Sequence, residues 1–183
     1  FTGPDSASLT FAANGVAATI DLSSIGTLAI EAGSVSLRAD AGTVLLNDLN
    51  TSQNNNDSIV EITAINGGSV QLGALTALHG YHYLEASTAG AITTVSTTGA
   101  DPRTLTITGT NSIEASSATW VELNARDGGR LDLTGLSSIE VQSGSLALFS
   151  ENLSLVNLPD LTTLRNIKSA IRFLRTNSAK FRI

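Results

Sequence analysis

The chain contains no cysteine and no methionine, and it is poor in aromatic and charged residues. The absence of cysteine is compatible with a bacterial protein that crosses membranes unfolded, although many cytosolic proteins lack cysteine too. Aromatic residues make up 4% of the chain and apolar residues 42%, so a core has to be built from leucine, isoleucine, valine and alanine in narrow layers. That apolar content is too high for a disordered chain.

Long apolar runs and excess positive charge are also missing. No stretch approaches the roughly 18 uninterrupted apolar residues of a membrane span, so we predict no membrane insertion. No signal peptide is visible, but the sequence begins at Phe1, and a signal could precede it. The net charge of −6 repels polyanions, which argues against nucleic acid as a partner.

The most informative feature is an apolar spacing, φxφxxφxxφ, that recurs along the chain. Four copies are complete: Ile20-Leu22-Ile25-Leu28, Val70-Leu72-Leu75-Leu78, Leu131-Leu133-Leu136-Ile139 and Val156-Leu158-Leu161-Leu164. Val44-Leu46-Leu49 is an incomplete fifth copy. Such self-similarity indicates one supersecondary unit wound many times.

A second, shorter motif sets the period of the repeat. Two inward residues flank one outward residue in eight runs: Leu9-Phe11, Val35-Leu37, Val60-Ile62, Leu84-Ala86, Leu105-Ile107, Val121-Leu123, Leu146-Leu148 and Ile171-Phe173. Their starts are about 23 residues apart on average, with one short step from Leu105 to Val121. Glycine or asparagine lies between the two motifs, and glycine suits a corner because it accepts positive φ.

These patterns predict an all-β fold, a right-handed parallel β-helix (β-solenoid) of about 7–8 coils. We expect residues 1–183 to form a single domain that is a fragment of a longer repetitive protein. Residues 165–183 carry six of the ten basic residues of the chain. Two structures are open for that segment: a basic terminal coil that continues the solenoid, or an amphipathic capping helix.

Two segments carry a family resemblance. Residues 33–44 (GSVSLRADAGTV) and 129–139 (GRLDLTGLSSI) resemble the β-helical repeats of large secreted bacterial surface proteins, namely haemagglutinin-type adhesins and autotransporter passengers. A weaker similarity links them to leucine-rich receptor L domains. The resemblance implies a non-catalytic, extracellular or cell-surface scaffold that is often adhesive and is flanked by further repeats of its parent chain. It implies no catalytic residue and no cofactor.

Any chemistry must then lie on the outward face of the strands. The repeat register places Glu61 beside Glu85 on neighbouring coils, with Tyr83 and Trp120 next to them and Glu122 beyond a threonine strand around Thr106. Aromatic platforms beside carboxylates are typical of sugar-binding surfaces, so the candidate partner is a polysaccharide or a surface glycan. The alternative is that these are ordinary solvated residues of a regular strand.

Other activities have weaker support in the sequence. Paired carboxylates could cleave a glycan, and the alternating threonines from Thr104 to Thr110 could bind ice. His79 and His82 lack further ligands at metal spacing, and we expect them to lie in a turn. The polar run from Asn54 to Asp57 is expected to be a loop. We predict no metal site, no cofactor and no catalytic residue. A structural or adhesive module is therefore the leading interpretation, ahead of carbohydrate binding or cleavage and of ice binding.

Overall fold

The computed structural model of the chain describes residues 8–54, 58–73, 75–94, 103–108, 120–166, 170–176 and 178–183. For residues 103–108, 120, 166 and 170 it describes the backbone alone. Every regular element in this described part of the chain is a β-strand. The strands are β1 (Ser8–Asn14), β2 (Thr19–Asp21), β3 (Thr27–Ile30), β4 (Ser34–Asp40), β5 (Thr43–Leu46), β6 (Thr51–Asn54), β7 (Ile59–Ile65), β8 (Ser69–Leu72), β9 (Ala77–His79), β10 (Tyr81–Ala86), β11 (Ala91–Thr94), β12 (Arg103–Thr108), β13 (Trp120–Ala125), β14 (Arg130–Asp132), β15 (Leu136–Val141), β16 (Ser145–Ser150), β17 (Leu155–Asn157), β18 (Thr163–Asn166), β19 (Ala170–Arg175) and β20 (Lys180–Arg182).

The strands form three parallel sheets, because every third strand along the chain pairs with its equivalent in the next coil. Sheet 1 has the order β1-β4-β7-β10-β13-β16-β19, sheet 2 has β2-β5-β8-β11-β14-β17-β20, and sheet 3 has β3-β6-β9-β12-β15-β18. Six coils therefore contribute to all three sheets, and a seventh contributes β19 and β20. The predicted β-solenoid is confirmed, with slightly fewer complete coils than the sequence indicated.

The core consists of columns of side chains that stack from coil to coil. In sheet 1 the central inward position is occupied by a continuous apolar column: Phe11, Leu37, Ile62, Leu84, Leu123, Leu148 and Phe173. All of these except the first and last are essentially inaccessible to solvent. A fully buried side chain of this size contributes about 1.5–3 kcal/mol, so repeated stacking stabilises coils that could not fold alone.

The φxφxxφxxφ repeat spans the corner between sheet 2 and sheet 3. In the third coil, Val70 and Leu72 lie in β8, Leu75 lies at the bend, and Leu78 lies in β9, and all four side chains are buried. The spacing changes from two to three residues at the bend because the chain turns there and no longer alternates as an extended strand.

The corner between sheet 1 and sheet 2 depends on small residues. Alanine fills the last inward position of sheet 1 in five successive coils, and a glycine of the following coil packs against its carbonyl group in four of them. A Cβ atom on Gly42 would lie 2.6 Å from the carbonyl oxygen of Ala13. The sequence led us to expect glycine at the corners because of positive φ, and Gly15 and Gly67 do have positive φ. Gly42 and Gly68 are glycine for a different reason, because two backbones approach closely there and leave no space for a Cβ atom.

The C-terminal segment continues the solenoid. Ile171 pairs with Leu146, and Phe181 pairs with Val156, so β19 and β20 extend sheets 1 and 2. The described residues of this segment form strands, and the alternative of an amphipathic capping helix does not apply to them. Because no described coil stacks beyond β19, Phe173 remains 43% exposed.

Candidate functional site

The outward face of sheet 1 brings together most of the predicted site residues. The outward position beside the central core column holds one residue per coil: Thr10, Ser36, Glu61, Tyr83, Glu122, Ala147 and Arg172. Tyr83 is thus paired directly with Glu61 on one side and with Glu122 on the other. We call the surface formed by Glu61, Tyr81, Tyr83, Glu85 and Glu122 the tyrosine–glutamate face.

The prediction that Glu61 and Glu85 are direct neighbours is wrong. Glu85 lies one outward position farther along β10, where it pairs with Thr63 and Asn124. That prediction requires Leu84 to be the first inward residue of its strand. The first inward residue is instead His82, which pairs with Val60 and occupies a position that is apolar in the neighbouring coils.

The prediction that a threonine strand separates Tyr83 from Glu122 is also wrong. Strand β12, which contains Thr104 and Thr106, belongs to sheet 3, where it pairs with β9 and β15. Sheet 1 therefore passes directly from β10 to β13. This also removes the short step in the repeat, because Leu105 and Val121 lie in different sheets. Trp120 is the first residue of β13 and pairs with Ser145, and its side chain lies outside the described atoms.

Two tyrosines with suppressed ionisation lie at the centre of this face. The hydroxyl of Tyr83 donates a hydrogen bond to the carboxylate of Glu85. Burial, that hydrogen bond and the negative charge of Glu85 together raise the pKa of Tyr83 well above its ordinary value. Burial and the charges of Glu122 and Glu61 also raise the pKa of Tyr81. Both phenols therefore stay neutral and can present a ring face and a hydroxyl group to a ligand.

Arginine offsets part of the negative charge at the edge of the face. Nη1 of Arg126 lies 3.9 Å from Oε2 of Glu85, and Nε of Arg126 lies 3.8 Å from Oε2 of Glu151. These distances are long for ion pairs, and the guanidinium group is partly exposed, so each contact contributes little to stability. Arg126 thus places one positive charge beside the carboxylates of Glu85 and Glu151.

Asn124 is an unusual residue in this region. It pairs with Glu85 on the outward side of sheet 1, yet its side chain is fully buried. Its Nδ2 donates a hydrogen bond of 3.3 Å to Oε2 of Glu122, while its Oδ1 accepts none from the residues that the structure describes. An unsatisfied buried acceptor costs about 1–3 kcal/mol.

The prediction that His79 and His82 lie in a turn is wrong. His79 ends β9, and His82 lies in β10 with its ring in the core. Nε2 of His82 lies 2.8 Å from the hydroxyl oxygen of Ser52, and its Nδ1 lies 3.3 Å from the carbonyl oxygen of Gly80. Burial lowers the pKa of His82 to about 4, so the ring is neutral at pH 7. Ser52 occupies the position that Leu28 and Leu78 fill in the adjacent coils.

Asn54 connects this polar part of the core to the tyrosine–glutamate face. Contrary to the expected loop, Asn54 ends β6 with its side chain buried. Its Nδ2 donates to the carbonyl oxygen of Tyr81 at 2.6 Å, and its Oδ1 accepts from the Tyr81 amide at 2.8 Å. These two bonds fix the start of β10 and with it the position of Tyr81. The sequence feature that could have indicated this arrangement is that Asn54 occupies the inward position that Ile30 fills in the preceding coil.

Metal-ligating clusters and membrane-spanning helices are both missing from the described residues. No three or more histidine, cysteine, aspartate or glutamate side chains there are grouped so as to hold a metal ion. No helix in this part of the chain is long and apolar enough to cross a membrane.

Comparison with known proteins identifies no relative. No protein-family model, curated protein or solved structure matches the sequence or the fold of this chain.

Proposed function

We propose that the chain is a non-catalytic structural module of an extracellular or cell-surface protein, and that it serves as an adhesive scaffold. The observation that carries this proposal is the stacking of equivalent inward positions in successive coils of the described chain, around an interior that is apolar apart from a few polar side chains such as His82 and Ser52. An interior of this kind has no room for a reaction site, so interactions are confined to the outer faces. The resemblance of residues 33–44 and 129–139 to bacterial surface repeats supports the same location.

The tyrosine–glutamate face is the surface that we propose for adhesion, with a polysaccharide or a surface glycan as its ligand. Support comes from the direct pairing of Glu61, Tyr83 and Glu122 on three successive strands of sheet 1. Adjacent strands lie about 4.8 Å apart, so these residues span about 10 Å, the length of one or two sugar rings. A neutral tyrosine can stack on a sugar ring while the flanking carboxylates accept hydrogen bonds from its hydroxyl groups.

Two alternatives receive less support from the geometry. Glycan cleavage by inversion would need a water molecule and the scissile bond between two carboxyl groups, but Tyr83 occupies the strand between Glu61 and Glu122. Ice binding would need threonines in register over several coils. Thr106 instead pairs with Ala77 and Glu140, so the threonine row does not continue on the strands next to β12.

A glycan array and a hydrolysis assay with the same glycans test the proposal. We expect the wild type to bind a subset of glycans without releasing reducing ends. Tyr83→Ala should weaken binding at least about tenfold, while Gln71→Ala on the outward side of sheet 2 should leave it unchanged. Release of reducing ends that is lost in Glu61→Gln would overturn the non-catalytic assignment. Absence of binding to any glycan would remove the adhesive role of the face.

A further inference from the structure

The tyrosine–glutamate face carries charge of one sign. Its three charged residues are glutamates, and all of them lie next to Tyr83. Glu61 and Glu122 pair with Tyr83 from the two neighbouring strands, and Glu85 accepts the hydrogen bond of its hydroxyl group. Burial, followed by the negative charges of Glu122 and Glu61, raises the pKa of Tyr81, so the negative potential extends over both tyrosine rings.

Basic side chains near the face leave this negative charge largely in place. Arg38 on β4 forms its own ion pair with Asp40, with 2.8 Å between Nη2 and Oδ2. Arg126 lies 3.9 Å from Glu85, which is long for an ion pair. Arg172 lies on the same side of sheet 1 but two strands beyond the face.

A ligand that covers these carboxylates has to replace the water that solvates them. A neutral sugar offers hydroxyl groups for this purpose, and an anionic sugar adds repulsion between like charges. An ammonium group offers N–H donors together with a compensating positive charge. It is also attracted to the face of a neutral tyrosine ring. The composition of the face therefore favours a cationic ligand over a neutral or an anionic one.

A buried amide in the same face lacks a proton donor. Asn124 pairs with Glu85 on the outward side of sheet 1, and its side chain is fully buried. Its Nδ2 donates to Glu122, and its Oδ1 accepts no hydrogen bond from the described residues. Ionised carboxylates only accept, so neither Glu85 nor Glu122 can supply the missing proton. A ligand ammonium group that displaces one of these two side chains would donate to Oδ1 and pair with a carboxylate at the same time.

The spacing of the carboxylates favours a polymer with repeated positive charges. Glu61 and Glu122 lie on opposite sides of Tyr83, two strand spacings or about 10 Å apart. This distance is about the length of two sugar rings. Successive rings of a β-1,4-linked chain face opposite ways, so amines on one side of the chain recur every second ring. Two such amines therefore match the two glutamates.

We propose that the ligand of the tyrosine–glutamate face is a cationic glycan, namely a polymer of amino sugars with free amino groups. One ammonium group pairs with Glu61, and a second pairs with Glu122 and donates to Asn124. Tyr83 stacks on the ring between them. This inference rests on the glycan-binding role proposed above and adds the chemical class of the sugar.

Calorimetric titration with two matched oligosaccharides tests the proposal. The probes are the β-1,4-linked hexamer of glucosamine and its fully N-acetylated counterpart, which is uncharged. At about pH 6 the free amines are protonated. We expect the glucosamine hexamer to bind at least about tenfold more tightly than the N-acetylated hexamer, an advantage that added salt reduces.

Two double variants distinguish binding at the face from general attraction to an acidic protein. Glu61→Gln/Glu122→Gln should remove the preference for the charged hexamer. The control is Asp48→Asn/Glu140→Gln, which removes two negative charges from the turn between β5 and β6 and from β15 in sheet 3. It should leave the preference unchanged.

The outcomes also separate this inference from the proposed glycan binding. Equal affinities of the wild type for the two hexamers, both weakened by Tyr83→Ala, would overturn the cationic ligand and leave glycan binding in place. Binding of neither hexamer, while the array identifies other glycans, would do the same. Equal loss of the preference in the two double variants would also overturn the proposal. Absence of binding to every glycan would overturn both.

Discussion

Replacing Gly68 with alanine should destabilise the solenoid far more than the same replacement at its neighbour Gly67. Gly67 has a φ of 77°, and a Cβ atom there would meet nothing within 4 Å. Alanine at position 67 would therefore adopt a left-handed conformation without a clash, at a cost of about 1–2 kcal/mol.

Gly68 is constrained by its neighbours and not by its backbone angles. A Cβ atom on Gly68 would overlap the carbonyl oxygen of Ala39 and lie 2.7 Å from its carbonyl carbon and 2.9 Å from the carbonyl oxygen of Ile65. All three are backbone atoms of the stacked corner and cannot rotate away. Relief requires separation of two coils, which strains the hydrogen bond of 2.8 Å from Ser69 to the carbonyl oxygen of Gly42. Overpacking and weakened hydrogen bonds together should cost at least about 3 kcal/mol.

Urea unfolding at 25 °C measures both costs. We expect Gly68→Ala to lower the free energy of unfolding by at least about 2 kcal/mol more than Gly67→Ala does. Gly128 and Gly129 repeat the arrangement in a later coil, with an open position followed by one that overlaps the backbone of Ala86. Equal effects of the two alanines in both pairs would refute the close approach of the coils.

Three further changes probe the turns and the ionisable groups. Leu153→Gly should stabilise the protein by about 1 kcal/mol in urea unfolding, because Leu153 is 77% exposed and has a φ of 64°; a loss of stability would contradict this. The buried ring of His82 should lower the free energy of unfolding of the wild type by about 3 kcal/mol as pH falls from about 6.5 to about 4, because the imidazole binds a proton at higher pH in the unfolded chain than in the folded one. His82→Gln should flatten this pH dependence, and His79→Gln should not. Burial disfavours ionised Asp132, but hydrogen bonds from Thr134, Arg130 and Asn157 outweigh it and lower the pKa of Asp132. The ionised carboxylate of Asp132 therefore stabilises the fold above about pH 4, and this stabilisation is lost in more acidic solution. Asp132→Asn should be less stable than wild type at pH 7. A difference in stability that persists at pH 2 would count against this reasoning.

The solenoid could be predicted because its physical cause is local in the sequence. A coil that buries Val70, Leu72, Leu75 and Leu78 on its way around a corner shares that spacing with a later coil, which buries Leu131, Leu133, Leu136 and Ile139, and a search for repeated spacing finds both. The same search could not distinguish sheets. Leu105 and Ile107 alternate as Val121 and Leu123 do, yet they belong to sheet 3, because alternation is the same on every side of the solenoid.

The register of the tyrosine–glutamate face could not be predicted, because a polar residue lies inside the core. His82 is tolerated there since Ser52, 30 positions earlier, also departs from the apolar repeat and lies within hydrogen-bonding distance of it. Taken alone in the sequence, Ser52 and His82 each look like a residue that faces outward or lies in a loop. Only the three-dimensional pairing shows that the two compensate each other, and this pairing moves Tyr83 to the place beside Glu61.

Disulfide formation between paired cysteines tests the register of sheet 1 most directly, and the cysteine-free chain permits it without background. Positions 61 and 83 are paired across one strand spacing of about 4.8 Å, within the range of a disulfide. Positions 61 and 85 point to the same side but lie about 8 Å apart along the diagonal, beyond that range. We expect Glu61→Cys/Tyr83→Cys to form an intramolecular disulfide on mild oxidation and Glu61→Cys/Glu85→Cys to remain reduced. The reverse result would contradict the arrangement of Glu61, Tyr83 and Glu122 on which the proposed function rests.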